Sequence, residues 1–431
     1  MSLHLNVNVT TAGVHRGAWR RTEDSAHAFY DPGHYAGVAA IAERGLLDAA
    51  FLADHSYFHR GGLAGAALDP LVTVAAMAQA TTHLGLIASV STTFHHPYTI
   101  ARAFASLDHL SGGRTGWNVV TTRNPPAGRN YGFADLPTRE ERYSRAEESV
   151  EVVKRLWASW DPGALVADRA AGVQTDDARI HAIDHRGEHF AVAGPLQVPP
   201  SPQGRPLIVQ AGGSTGGLAL AAEHAGAVFT SQVTLDAARE YYALLKKAVV
   251  DQGRPPDSLA VLPGLVYTLG STEEEARRRR DELNELAPAV DQLAGFAAWI
   301  GVDPAVLDLD EPFPLPELRD TGDTYGSVGF DRSARLYLEA NRDKTVRELV
   351  AEGPVGHWKL TGTPEQLADA LEEWYRGGAA DGFNLMADAY PDGLETFVDH
   401  VVPILQRRGL FRREYAATTL RGHYGWRGEG A

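Results

Sequence analysis

The sequence predicts an α/β fold, a (β/α)8 TIM barrel, on three observations. Eight short apolar, β-branched segments recur along the 431 residues, each readable as a strand covered on both faces. Amphipathic helical stretches separate them, which makes successive strands parallel. Small polar or acidic residues gather at the carboxyl ends of several segments, the rim at which such barrels carry their chemistry.

The clearest unit lies between residues 84 and 143. Leu84 to Thr92 reads as a buried strand that ends in Ser91 and Thr92. Pro97 opens a helix whose Ile100, Ala103, Phe104 and Leu107 recur at helical spacing, and Gly112-Gly113 stops it. Arg114 to Thr122 is the next strand, with Asn118, Thr121 and Thr122 towards its rim, and a Pro/Gly/Asn loop expected to be irregular follows.

Upstream, Leu3 to Val9 alternates as strand one, and Thr11 to Tyr30 lacks periodicity and reads as a loop. Helix Tyr35 to Leu47 leads into strand two, Ala49 to Asp54, whose only carboxylate is its last residue. Helix Leu71 to Thr81 precedes the central unit, and helix Glu140 to Trp160 follows it. A Pro-, Gly- and Asp-rich insertion then occupies about 161–206. Strand five is Leu207 to Ala211, strand six Ala227 to Ser231 and strand seven Leu259 to Leu269, with helices Leu235 to Val250 and Thr272 to Leu286 after the last two. A second insertion covers about 288–360, and its Pro-rich part cannot be a central strand. Helix Pro364 to Tyr375, strand eight Gly382 to Asp388, helix Leu394 to Arg407 and an Arg-rich tail at about 409–431 complete the chain. The expectation is one domain, 1–431, with insertions after strands four and seven.

Composition narrows the functional classes. At 44% hydrophobic and 22% charged residues the chain has a sizeable core. A net charge of −15 disfavours nucleic acid and anionic membranes as partners. The absence of cysteine removes disulfides, thiolate nucleophiles, iron–sulfur clusters and thiolate zinc sites. With a polar, alternating start and no apolar run of membrane-spanning length, a cytoplasmic protein is expected.

Gly212-Gly213-Ser214-Thr215-Gly216-Gly217, after strand five, offers backbone N–H groups and hydroxyls at a helix start, which suits a phosphate; the alternative is a tight turn. It is neither GxGxxG nor a P-loop, and no NAD(P)H fingerprint occurs elsewhere. Asp54 either meets a ligand or caps an element, and Ser91 and Thr92 either meet a ligand or bond backbone. His95, beside His96, lines a pocket or solvates a loop. His181, His185 and His189 are four apart, but Gly187 and strand-like residues interrupt any helix, so no metal site is expected. Arg277 to Arg280 reads as a solvated helix face.

The stretches ARAFASLDHLSGGRTGWNVVTT, RYSRAEE, FLADHSY, GAWR (17–20), AERGLLDAAFLADH, QAGGSTGG and GFNLMAD together resemble the bacterial-luciferase-like flavin monooxygenases. The branch is that of nitrilotriacetate monooxygenase, dibenzothiophene-sulfone monooxygenase and the pristinamycin-synthase large subunit, and the match runs nearly the whole chain. The resemblance implies the same barrel and FMN used as FMNH2. It further implies a separate NAD(P)H:flavin reductase, O2 and a small organic molecule as substrates, and a homodimer or homotetramer. It sets the phosphate at Gly213, Ser214 and Tyr143, and the flavin near Asp54, Ser91, Thr92 and Asn118. Arg139 stands where relatives often have His, and His15 and Trp19 fall in the substrate-side loop. No catalytic acid or base is assigned. Alternatives are a deazaflavin-dependent oxidoreductase of the same superfamily and a flavin-binding protein without turnover.

Overall fold

A computed structural model describes residues 2–54, 56–58, 68–300, 302–315, 328–353 and 356–426, of which 298, 299 and 328–331 by backbone alone. Eight parallel strands close on themselves: β1 (His4–Asn8), β2 (Ala49–Leu52), β3 (Gly85–Ser91), β4 (Thr115–Val120), β5 (Leu207–Ala211), β6 (Ala227–Thr230), β7 (Ala260–Leu269) and β8 (Gly382–Ala387). Each pairs with its neighbours in sequence, and β8 returns to β1 with Asn384 beside Asn6. The expected barrel is therefore present, its strand bounds within two residues of the sequence reading.

Because side chains alternate along a strand, each strand feeds two environments. Leu5, Val7, Leu86, Trp117, Val119, Phe383 and Leu385 face the surrounding helices and form the main core. The opposite face fills the lower bore, where Phe51, Ile87, Leu207, Val209 and Leu262 pack with Leu420 and Tyr424. Those last two come from the Arg-rich tail, which closes the amino-terminal end of the barrel. Leu420 lies so close to β3 and β4 that a Cβ on Gly85 would meet it at 2.3 Å and one on Gly116 at 3.1 Å. Tyr424 donates its hydroxyl to Asn6 Oδ1 at 2.9 Å. Fully buried Asp48 accepts from Leu5 N at 2.7 Å and from Arg412, fastening the tail to β1 and β2.

Several loops carry more order than expected. The stretch after β4 holds a helix, Pro125–Asn130, since Pro125 already has the φ a first helical turn requires. Loop 11–30 contains helix Glu23–His27, capped reciprocally by Thr22 and Ser25. The first insertion forms two antiparallel hairpins, Leu165–Asp168 with Val173–Thr175 and His185–Arg186 with Ala191–Val192. In the second, Phe296, Phe313, Leu338, Val346 and Leu349 form an apolar cluster of their own.

A ninth strand, Trp358–Gly362, went unrecognised inside that insertion. It pairs in parallel with Leu265–Leu269, the upper half of the ten-residue β7, whose lower half pairs with β6. Residues 316–327 of the second insertion lie outside the described residues. Among the described residues no helix is long and apolar enough to cross a membrane.

Leu420→Ala should destabilise the protein by about 2–5 kcal/mol, the usual cost of emptying a leucine site in a core. Chemical denaturation measures it, and a loss under about 1 kcal/mol would show that the tail is not part of the barrel core.

Candidate functional site

The bore changes character away from its apolar floor. Asn8 and Asn118, near the carboxyl ends of β1 and β4, and Asn384 in β8 share the inward face, by alternation with outward Val7, Val119 and Leu385. Asn118 donates to Ser89 Oγ at 2.8 Å. Its Oδ1, the Oδ1 of Asn8 and both amide atoms of Asn384 are buried without a protein partner. Buried amides left so are costly in an apolar barrel and fit a polar ligand that both donates and accepts. The sequence reading named Asn118 and missed the other two; the available signal was an asparagine inside an otherwise apolar strand, HLNVN and GFNLMA.

At the end of β5, Ser214 caps helix Thr215–His224, accepting from Gly217 N at 3.1 Å. Tyr143, from helix Arg139–Trp157, meets Ser214 Oγ through its hydroxyl at 2.7 Å. Gly216 permits this approach, since a Cβ there would lie 2.8 Å from the Tyr143 ring. A Cβ on Gly217 would come 3.1 Å from Gln210 Nε2, and the buried Gln210 Oε1 has no partner. Two hydroxyls and an amide thus surround a helix start whose dipole favours an anion. Gly213 is half-buried in the approach to that start, and Arg139 is half-buried one turn before Tyr143. Gln210 went unrecognised because it is the polar penultimate residue of an apolar strand.

Asp54, Ser89 and His95 line one cavity of about 390 Å³ with Asn130 and Tyr131. Asp54 accepts from Ser56 Oγ at 2.6 Å, and His95 Nδ1 lies 3.0 Å from the Ser91 carbonyl. Ser91 Oγ accepts from Thr122 Oγ1 at 2.7 Å. Thr92 is fully buried and donates its hydroxyl to the Val120 carbonyl at 3.2 Å.

His15 lies elsewhere, in the wall of a second cavity, also of about 390 Å³, between the rim at β6 to β8 and the second insertion. Its Nδ1 accepts from Gly17 N at 3.0 Å, which leaves the proton on Nε2, 3.0 Å from Asn284 Oδ1. Burial lowers its pKa, so the imidazole is neutral near pH 7. Trp19 belongs to neither cavity wall and is 47% exposed, so the three pocket candidates do not converge.

The arginine run also differs from its expected solvated face. Arg277 and Arg278 are exposed, whereas Arg279 turns inward with Ala276 and Leu283 on the helical period. It donates to both oxygens of Asp388, at 2.6 and 2.9 Å, and to Asp392 at 2.6 Å. His181, His185 and His189 turn to Asp161, Glu148 and Ser144 respectively, three different partners.

The profile of the family described as luciferase-like monooxygenase matches residues 11–381. The chain is 41% identical to N-acetyl-S-(2-succino)cysteine monooxygenase of Bacillus subtilis (strain 168), over 98% of this chain and 96% of that one. It is 40% identical to nitrilotriacetate monooxygenase component A of Aminobacter aminovorans, over 96% and 94%. Among solved structures it is similar to a riboflavin lyase crystallised with modified FMN and riboflavin, with a TM-score of 0.85 and 31% identity, over 99% of this chain and 97% of that one.

Asp388 is 2% exposed and its carboxylate is paired with Arg279. Arg279→Met should cost about 3–5 kcal/mol, as expected when one member of a buried pair is removed. Equilibrium unfolding reads this; a variant as stable as the parent would mean Asp388 is compensated by other groups.

Proposed function

This chain belongs to the luciferase-like monooxygenase family, and from that premise we propose that it is the oxygenating member of a two-component system. In this reading it binds FMNH2 released by a separate NAD(P)H:flavin reductase and uses O2 to oxygenate a small organic substrate. The observation that carries the reading is the Tyr143–Ser214 pair over Gly216 and Gly217 at a helix start on the barrel rim. A lone helix start suits the terminal phosphate of a mononucleotide, and the chain lacks the glycine pattern that seats a dinucleotide. One relative is named as a component A, and another similar structure holds a modified FMN, in keeping with that reading.

Ser214, Tyr143 and the helix dipole would hold the phosphate. The buried amides of Asn8, Asn118 and Asn384 would answer the donors and acceptors of the flavin heterocycle, and Asp54 would lie beside it. The flavin supplies electron transfer and oxygen activation when bound; the chain binds it, orients it and keeps water out. Loop 11–30 meets helix Glu273–Leu286 through His15 and Asn284 and the second insertion through Arg16 and Gln292, a cover over one side of the rim. The proposal includes one barrel domain assembled as a homodimer or homotetramer. Two of the relatives are named for polycarboxylates, which puts such compounds among the substrates to test.

Ser214→Asp should weaken FMN binding by at least about tenfold, or 1.4 kcal/mol, because a carboxylate would then face the phosphate dianion. Fluorescence titration measures it, and an unchanged affinity removes the phosphate assignment. NADH alone should support no oxygenation, and a reductase that releases FMNH2 should restore it. Oxygenation by the purified chain with NADH and no reductase would overturn the two-component reading.

A further inference from the structure

We propose that the cavity between the barrel rim and the second insertion is the organic-substrate site, and that it takes a carboxylate-bearing compound held by Lys359 and Arg280. The inference rests on the oxygenase reading above and names the substrate class for it. The cavity, of about 390 Å³, is within the range of small-molecule sites. It adjoins the bore: Val14 and Val266 in its wall pack with Met386 and Phe229, and His357, also in the wall, stacks on Phe229 with ring centroids 5.4 Å apart.

The charges in this wall do not balance. Asp388 is held by Arg279, and Glu352 by Lys344 and the Tyr337 hydroxyl. Lys359 Nζ donates to Tyr337 Oη at 3.1 Å and the Gly353 carbonyl at 3.2 Å, and among the described residues no carboxylate lies in ion-pair contact with it. Arg280 lies 3.6 Å from solvent-facing Asp281, its ion-pair partner among the described residues. Two cations therefore face the cavity beyond those its own carboxylates engage, in a chain whose net charge is −15. A desolvated ammonium without a counter-ion is unfavourable, and an anionic ligand supplies one.

Burial pushes the Lys359 ammonium down to about 7; Glu352 opposes that shift and Lys344 adds to it. The groups around it are Tyr337 from helix Val328–Ala340, Lys344 and Glu352 after that helix, and Arg280 from helix Glu273–Leu286. His357 lies beside it on the chain, with His15 and Asp388 across the cavity. Burial holds both histidines below their usual value, His357 at about 4, and raises Tyr337 well above 10. Neither the histidines nor Tyr337 titrates between pH 7 and 9, while Lys359 does. An anion binds the protonated amine, so its affinity must fall as pH rises above about 7, by up to about tenfold per unit.

Isothermal titration of the full chain, without flavin, with succinate and nitrilotriacetate against their methyl esters tests this. At pH 7 the carboxylates should bind at least tenfold more tightly than the esters, and weaken steadily towards pH 9. Lys359→Met should lose at least tenfold and flatten the pH dependence, and Arg280→Gln, at a partly exposed helix position, should lose severalfold in a folded protein. Carboxylates binding no better than esters, a flat wild-type profile from pH 7 to 9, or wild-type behaviour in both variants would each overturn the proposal. None of these readouts involves flavin or O2. Failure of the oxygenase reading would appear separately, as bound carboxylate without oxygenation in the presence of FMNH2.

Discussion

A closed parallel barrel must fill its own bore, and the way this one is filled arranges everything else. The inward stripes of β2 to β7 are apolar at the bottom, and Leu420 and Tyr424 complete the plug from the far end of the chain. Gly85 and Gly116 lack side chains where Leu420 enters, so strand and tail are shaped to one another. With the floor sealed, polar side chains such as Asn8 and Asn118 gather towards the open end, the one place where a ligand reaches the axis.

The rim divides into two electrostatic halves. On the β5 side a helix start, two hydroxyls and the Gln210 amide favour an anion. On the β8 side charge is handled by pairs: Arg279 joins Asp388 to Asp392, and Arg21 reaches Asp392 from the first loop at 2.6 Å. That network ties helix Glu273–Leu286, loop 11–30 and the end of β8 together, which holds one wall of the His15 cavity in place. Glycine provides the close approaches and buried ion pairs the rigidity; the carboxylate of such a pair, placed beside Ser214, would repel a phosphate.

Much of this was legible beforehand. All eight barrel strands follow from runs of apolar residues, and Gly112-Gly113 marks its helix end. Ser214 was recognisable because glycines before a helix leave backbone N–H groups accessible, and Tyr143 through the resemblance. Local chemistry of this sort depends on neighbours in sequence, which the sequence displays. Arg279 was misread with its exposed neighbours because a four-residue charge run hides the helical period that turns one member inward.

By itself the sequence determined the order of strands and helices, the parallel pairing and the anion-friendly turn after β5, since each depends on residues within a few positions of one another. Tertiary structure alone decided that Leu420 would fill the gap at Gly85, some 335 residues away by number (420 − 85). It alone set Trp358–Gly362 against the upper half of β7, a pairing open only because β6 ends below it. It likewise left the amides of Asn8 and Asn384 buried together and separated His15 from His95, because barrel closure determines which inward side chains meet.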